Sequence, residues 1–306
     1  MMYLGIDTSN YTTSVATYDG KDVQNVRKII PIKQGERGIR QNDGVFCHIK
    51  TLPKLYEKLS LSDLKAVGVS TKPRNTENSY MPVFLAGEGY GEVIAKTINI
   101  PIHRFSHQDG HIGAGIFSGN NIELLTEEFL SLHLSGGTCE ILKCRYNGYN
   151  FDTEIVGGTK DISAGQLIDR SGVYMGMQFP SGRELELCAR EYEKEIKFPI
   201  SVEESHINFS GLENKVKELI GKESNSNISY AVLNAVSRSV IKALNSAVKK
   251  TGIKKILTVG GVMANEYLRN EFVNNIDAQI LFASSQYSTD NAVGIAYLTY
   301  IYYEGI

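Results

Sequence analysis

No Cys-x-x-Cys pair, no long apolar run and no excess of one charge sign occur in this 306-residue chain, and each absence removes a class of function. The four cysteines, Cys47, Cys139, Cys144 and Cys188, are scattered, which fits a reducing compartment, the cytoplasm. No apolar stretch reaches the length that spans a bilayer, so no membrane partner is expected. The start, Met1-Met2-Tyr3-Leu4-Gly5-Ile6-Asp7, reads as a strand and not as a signal peptide. Lys and Arg total 32 against 34 Asp and Glu, a net charge of -2, so no global field draws the chain to nucleic acid. Such a partner would need a local basic patch or another subunit. Low-complexity segments are missing as well. What is present is an apolar fraction of 42%, ample for a core, and a length that suits two lobes or one large domain.

The apolar pattern predicts strands over Tyr3 to Asp7, Thr12 to Tyr18 and Val23 to Ile30, with Asp19-Gly20 as a hairpin turn. A helix over Phe46 to Leu59, a strand over Ala66 to Ser70 and a helix over Val83 to Ile98 follow. Phe129 to Leu134, Gly136-Gly137 and Cys139 to Cys144 look like a second start of the same kind, with Asn150 to Val156 as its third strand. Two related lobes are therefore expected, 1–122 and 123–306, with the last helix, about 290–306, closing against the first. Ile228, Val232, Val236, Val240, Leu244 and Val248 recur every four residues, the stripe of a long amphipathic helix. Ile256 to Val259 reads as a buried strand running into Gly260-Gly261, with a helix from about Ala264. Ser205 to Asn227 is polar and reads as surface loops and a helix.

Four motifs carry chemistry. The run His107-Gln108-Asp109-Gly110-His111 puts two imidazoles four residues apart, on one face if the segment is helical, where both can grip one metal ion. Gln108 stands where a zinc protease has its catalytic glutamate, so peptidase chemistry lacks its base. Two histidines suit zinc or iron, with a carboxylate as third ligand. Asp290, in Ser288-Thr289-Asp290-Asn291, is the candidate, although by itself it reads as an N-cap. Gly5-Ile6-Asp7-Thr8-Ser9 with Thr12-Thr13-Ser14 places an acid and hydroxyls at a strand turn, either a phosphate or metal site or an ordinary polar hairpin. Leu134-Ser135-Gly136-Gly137-Thr138 is either a phosphate-approach loop or a plain tight turn. In Val259-Gly260-Gly261-Val262-Met263-Ala264-Asn265, a strand feeds a helix N-terminus that suits a nucleotide. Asn265 either reads a base or ribose hydroxyl or caps the helix.

Together and in this order, these motifs resemble one family over nearly the whole chain. It is the TsaD-like tRNA threonylcarbamoyladenosine transferase family, once described as glycoproteases. His107-Gln-Asp-Gly-His111 is similar to its H-x-E-G-H, and Leu134-Ser-Gly-Gly-Thr138 to its V-S-G-G-x-T. Asp161-Ile-Ser-Ala-Gly-Gln-Leu-Ile-Asp169 is similar to its D-D-A-A-G-E-A-F-D, and Gly260 to Asn265 and Thr289-Asp-Asn291 to their counterparts. The resemblance implies an α/β fold of the ASKHA type, two ribonuclease-H-like lobes around a nucleotide cleft. It implies one divalent metal, Fe or Zn, on His107, His111 and Asp290. It implies ATP, ADP or an acyl-adenylate bound by Ser135, Gly136, Gly137, Thr138, Asp169, Gly182, Glu186 and Asn265. Asp7 and Ser9 become the candidate catalytic pair. His133, where some relatives have a tyrosine near the metal, is either a fourth ligand or a core strand histidine. The implied reaction passes threonylcarbamoyl from its adenylate to an adenosine amine of tRNA, with tRNA and the subunits of a tRNA-modification complex as partners.

The chain departs from the family around the acceptor. Gly5-Ile-Asp-Thr-Ser-Asn-Tyr-Thr-Thr13 stands for G-I-E-T-S-C-D-E-T, so the acidic pair is replaced by Asn10, Tyr11 and Thr12. Only Arg40 and His48 answer the family's G-V-V-P-E-x-A-S-R-x-H, and Lys72-Pro-Arg-Asn-Thr-Glu-Asn-Ser-Tyr-Met-Pro82 replaces G-P-G-L. Arg37, Arg40, Lys72 and Arg74 could meet an anionic substrate or be solvated surface charges. The alternatives to tRNA threonylcarbamoylation are carbamoyl transfer to another acceptor and a non-catalytic nucleotide-binding scaffold.

Overall fold

A computed structural model describes residues 1–9, 11–31 and 39–306. Asn10 and Arg37, named above, lie outside the described residues. The chain forms two compact units: Met1–Glu127 with Arg145–Asp152 and Gln286–Ile306, and Glu128–Cys144 with Thr153–Ser285. The four cysteines form no disulfide among the described residues, and no helix among these residues is long and apolar enough to cross a membrane.

The first unit opens with β1 (Met2–Ser9), β2 (Thr12–Tyr18) and β3 (Val23–Ile29), followed by α1 (Gln41–Tyr56), β4 (Leu64–Lys72), α2 (Phe84–Ile98), β5 (Ile102–Ser106) and α3 (His107–Gly119). Its five-stranded sheet runs β3-β2-β1-β4-β5. The first three strands are antiparallel, and β4 and β5 continue parallel to β1. Strand alternation sends Ile6 and Thr8 to one face of β1 and Asp7 and Ser9 to the other. On the first face Thr8 Oγ1 donates to the Val83 carbonyl at 3.0 Å and accepts from Gly87 N at 3.1 Å, and Thr13 meets His48 of α1 at 2.8 Å. Leu4, Ile6, Val15, Leu52, Val67 and Val69 form the core there. The second face is covered by the chain's last helix, α9 (Val293–Glu304), against which α3 also packs.

The second unit contains β6 (Phe129–Leu134), most of β7 (Cys139–Tyr146) and of β8 (Phe151–Thr159), α4 (Ala164–Tyr174), α5 (Gly182–Ala189), the short strands β9 (Ser201–Glu203) and β10 (His206–Asn208), α6 (Ser210–Leu219), α7 (Asn225–Thr251), β11 (Lys255–Val259), α8 (Glu266–Asn275) and β12 (Gln279–Phe282). Its sheet runs β12-β11-β6-β7-β8-β10-β9. Within it β8-β7-β6-β11-β12 repeats the order of the first sheet, with β6 and β7 antiparallel and β6, β11 and β12 parallel. The predicted stripe of α7 is buried throughout, from Ile228 to Val248. Ser224 caps its start and Gly252, at φ 74°, ends it. This repeated ribonuclease-H-like topology is the ASKHA fold.

Three local expectations shift. Strands β5 and β12 were not expected. A 3-10 turn, Gly261–Ala264, delays α8 to Glu266. The closing helix α9 (Val293–Glu304) starts after Asp290, not at it.

Candidate functional site

β5 ends directly in α3, so His107 is the first helical residue and His111 follows one turn later. Ser106 and Asp109 build the capping box that starts this helix. Ser106 Oγ accepts from Asp109 N at 3.0 Å, and Asp109 Oδ2 accepts from Ser106 N at 2.8 Å. Asp109 also accepts from Asn75 Nδ2 and from Phe151 N. The acid between the two histidines is thus a buried structural anchor, and its carboxylate is spent on the backbone and on Asn75.

Asp290 reaches the histidines because α3 and α9 almost touch. A Cβ on Gly294 would lie 1.8 Å from the Gly110 carbonyl oxygen, so only glycine permits this approach. Asn291, not Asp290, serves the start of α9: its Oδ1 accepts from Val293 N at 2.9 Å. The Asp290 carboxylate is therefore free of capping. Its loop is held by Arg27, which donates to Thr289 Oγ1 at 2.6 Å and to the Asp290 carbonyl at 3.1 Å. Ser14 Oγ accepts from Ala292 N at 2.9 Å, and Thr12 Oγ1 lies 3.4 Å from Asp290 Oδ2. Thr12 belongs to the hydroxyl motif read from the sequence, whereas Arg27 was missed as a site residue. Nothing in its spacing marks Arg27, since it acts across the sheet.

His107 Nε2 and His111 Nε2 are 3.1 Å apart, and Asp290 Oδ1 lies 3.4 Å from the second and 3.6 Å from the first. Ligands at 2.0–2.1 Å from a tetrahedral ion stand about 3.3–3.4 Å from one another. These three atoms have that spacing, and they are the one such group of three ligands among the described residues. With both imidazoles neutral, Asp7 and Asp290 give the cluster two negative charges, the complement of a divalent cation. Two buried oxygens nearby on β1, Asp7 Oδ2 and Ser9 Oγ, have no hydrogen-bond partner among the described residues. The residues present fit a divalent metal.

Without a metal the same two carboxylates favour a proton on His107, the charge that an incoming cation would replace. Burial works against a charge on His107, but Asp7 and Asp290 outweigh it and hold its pKa up at about 10. Burial likewise opposes ionisation of Asp290, yet hydrogen bonds from His107 and His111 keep its carboxyl well below the usual range. Asp7 is lowered in the same way, its burial offset by His107 and Ser70. At the near end of the sheet, Lys72 pairs with Ser106 across β4 and β5, and Pro73 accepts from Gln108 N at 3.0 Å. Lys72 and Arg74 are thus half-buried beside the histidines, whereas Arg40 is exposed at the start of α1.

In the second unit the motif residues meet one another. Ser135 Oγ accepts from Thr138 N at 3.0 Å and Gly137 N at 3.3 Å, closing the glycine turn. Ser163, the N-cap of α4, donates to the Gly136 carbonyl at 2.9 Å. A Cβ on Gly165 would lie 2.5 Å from the Ser135 carbonyl oxygen, so α4 starts hard against this turn. Asp169 Oδ1 accepts from Ser181 N at 2.8 Å beside Gly182; burial raises its pKa, and the backbone N–H groups partly offset this. Glu186 Oε1 accepts from Glu266 N at 2.8 Å, and Asn265 Oδ1 caps α8 by accepting from Leu268 N at 2.9 Å. Of the two sequence readings of Asn265, the cap is the contact seen. His133 is buried on β6, and its ring lies against Gly260.

A family model described as tRNA N6-adenosine threonylcarbamoyltransferase, TsaD, matches residues 51–297. Two proteins of that name are similar over almost the whole chain. The one from Sulfurihydrogenibium sp. (strain YO3AOP1) is 30% identical over 98% of this chain and 90% of its own length. The one from Brachyspira hyodysenteriae is 29% identical over 98% and 91%. Among solved structures, the activator of 2-hydroxyisocaproyl-CoA dehydratase from Clostridium difficile with bound ADPNP matches with TM-score 0.58 and 18% identity, over 100% of this chain and 97% of that one. Full-length HypF in its phosphate- and nucleotide-bound form matches with TM-score 0.63 and 16% identity, over 99% and 55%. A ROK family glucokinase from Streptomyces griseus with glucose and AMPPNP matches with TM-score 0.54 and 12% identity, over 97% and 98%. At these identities the solved structures speak to the fold alone.

Proposed function

Because the chain belongs to the tRNA N6-adenosine threonylcarbamoyltransferase family, a family of transferase enzymes, we propose that it passes threonylcarbamoyl from threonylcarbamoyl-adenylate to a tRNA adenosine amine with the help of one divalent metal. The observation that carries the metal part is the spacing and charge of His107, His111 and Asp290. When bound there, zinc or iron supplies a Lewis acid for a carbamoyl or phosphate oxygen.

The chain's own residues do the rest. The turn of Ser135, Gly136, Gly137 and Thr138, next to the N-terminus of α4, seats the adenylate phosphate, its glycines letting the ligand approach the backbone closely. Asp169, Gly182, Glu186 and Asn265 line the starts of α5 and α8 and hold the ribose and base. The nucleotides bound to three of the fold neighbours support this use of the topology. Ser9, buried on the same face of β1 as Asp7, has a hydroxyl free to hold the reacting group. Lys72 and Arg74 give the anionic acceptor a local positive edge that the net charge of -2 does not. A second reading, carbamoyl transfer to another acceptor, is favoured by one observation: Thr12, where the family carries an acid, is what faces Asp290.

The test has two arms. Metal analysis of the purified chain is expected to find about one Zn or Fe per chain, lost in His111→Ala. Supplied with threonylcarbamoyl-adenylate, tRNA and the partner subunits, the chain is expected to form modified adenosine. Tight nucleotide binding without product would reject the tRNA acceptor and leave another acceptor or a scaffold role.

A further inference from the structure

Asp7 is 1% exposed, and its Oδ1 lies 3.0 Å from His107 Nδ1. The same oxygen accepts from Ser70 Oγ at 2.5 Å, and Ser70 on β4 is fully buried. Three elements therefore converge on one ring: β1 brings Asp7, β4 brings Ser70, and the capping box fixes the first turn of α3 that carries His107. A carboxylate on Nδ1 keeps a proton on that nitrogen, so Nε2 is the nitrogen left to bind an ion. Nε2 is the atom that faces His111 and Asp290. A histidine oriented in this way is a better and more rigid ligand, because its tautomer and ring angle are set before the metal arrives.

We propose that Asp7, itself oriented by Ser70, is the positioning residue of the metal centre: it holds His107 as the Nδ1–H tautomer with Nε2 turned to the ion. This deepens the metal reading above and rests on it. It also gives Asp7 a task different from attack or proton transfer at the substrate, so the reacting groups must be sought elsewhere on the same face.

The test measures Zn2+ affinity of the full chain by competition with a chromophoric chelator, for the natural protein and for Asp7→Asn and Ser70→Ala. Asp7→Asn is expected to weaken zinc about 10- to 100-fold, and Ser70→Ala by less but by more than about threefold. The cobalt-loaded chain supplies a readout that a merely structural role would not move. Its visible absorption is expected to shift in Asp7→Asn while keeping its intensity, because the ligand count is unchanged. A loss of intensity would make Asp7 a ligand and overturn the positioning role. A natural protein that binds no zinc would sink the metal reading itself. Zinc bound by the natural protein, with both variants within about threefold of it, would overturn this inference alone. Should Asp7→Asn not fold, Ser70→Ala decides by the same threshold.

Discussion

The two units share one strand order and use its first turn in opposite ways. Around the β1–β2 turn, side chains converge and leave oxygens unmatched: Asp7 Oδ2 and Ser9 Oγ are buried without partners among the described residues. Around the β6–β7 turn, the comparable polar groups already serve the backbone. Ser135 closes its own turn, Asp169 holds Ser181, Glu186 holds Glu266 and Asn265 caps α8. The first unit is thus built to receive a compact charge. The second offers a surface of helix starts and open glycines, which suits an extended ligand that displaces water instead of filling a cage.

The largest effect should come from the helix contact that assembles the first unit's site. Gly294→Ala places a Cβ 1.8 Å from the Gly110 carbonyl oxygen, and backbone cannot yield as a side chain tip would. We expect a loss of about 3 kcal/mol or more, read as a lower urea midpoint, together with loss of bound metal. Gly136→Ala in the second unit meets nothing within 4 Å and should stay within about 0.5 kcal/mol. Equal effects at the two glycines would break the comparison.

Acid should separate the units next. His48 is fully buried, and burial holds its pKa down at about 4 against the opposing pull of Asp7 and the Ser9 backbone. Between that value and the ordinary 6.5, the unfolded chain binds the proton and the folded chain does not. Stability therefore rises with pH across the window, is complete above it, and is lost as pH falls toward 4. The shift is worth about 3 kcal/mol at most. Hydrogen exchange at pH 4.5 against pH 7.5 should loosen β2 and α1 before β6 and α7, and His48→Gln should remove the difference. Uniform loosening would reject the assignment.

A smaller and cleaner test lies in the second unit. Asn265→Asp keeps a side-chain oxygen for the α8 cap but loses the amide donor, and asparagine and aspartate cap about equally well. Stability should hold within about 0.5 kcal/mol, while ATP or ADP binding falls about tenfold, the worth of one hydrogen bond to a charged or polar group. Unchanged nucleotide binding would reduce Asn265 to its cap.

The sequence showed much of this where the signal was local. The His-x-x-x-His spacing, the α7 stripe and the two strand-turn-strand starts are periodicities within a short window, and they reappear in the structure. What it hid depends on chain ends meeting. Gly110 and Gly294 look like any two glycines until α3 and α9 pack. Asp290 reads as an N-cap until Asn291 is seen to do that work. Asp109 shows the opposite failure: Ser106-x-x-Asp109 is a legible capping signature, passed over because attention fell on the two flanking histidines. β5 and β12 are short strands, of five and four residues, and too brief for alternation to mark them.

Arg27 tests how tightly the first unit's site is held from outside. It is an exposed residue of β3, yet its guanidinium reaches the loop that carries Asp290 through Thr289 Oγ1 and the Asp290 carbonyl. The carbonyl contact matters more than the charge, because it fixes the backbone from which the ligand carboxylate extends. Arg27→Ala should cost about 1 kcal/mol of stability and weaken zinc only a fewfold, since Ser14 and Asn291 still hold the loop. Arg27→Lys keeps a cation, but its shorter side chain does not place an ammonium where Nη1 donates to both acceptors, so it should behave like the alanine variant. If lysine restored full zinc affinity, the guanidinium would be acting as a charge near Asp290, and the site would be tuned electrostatically where the geometry argues for a strut.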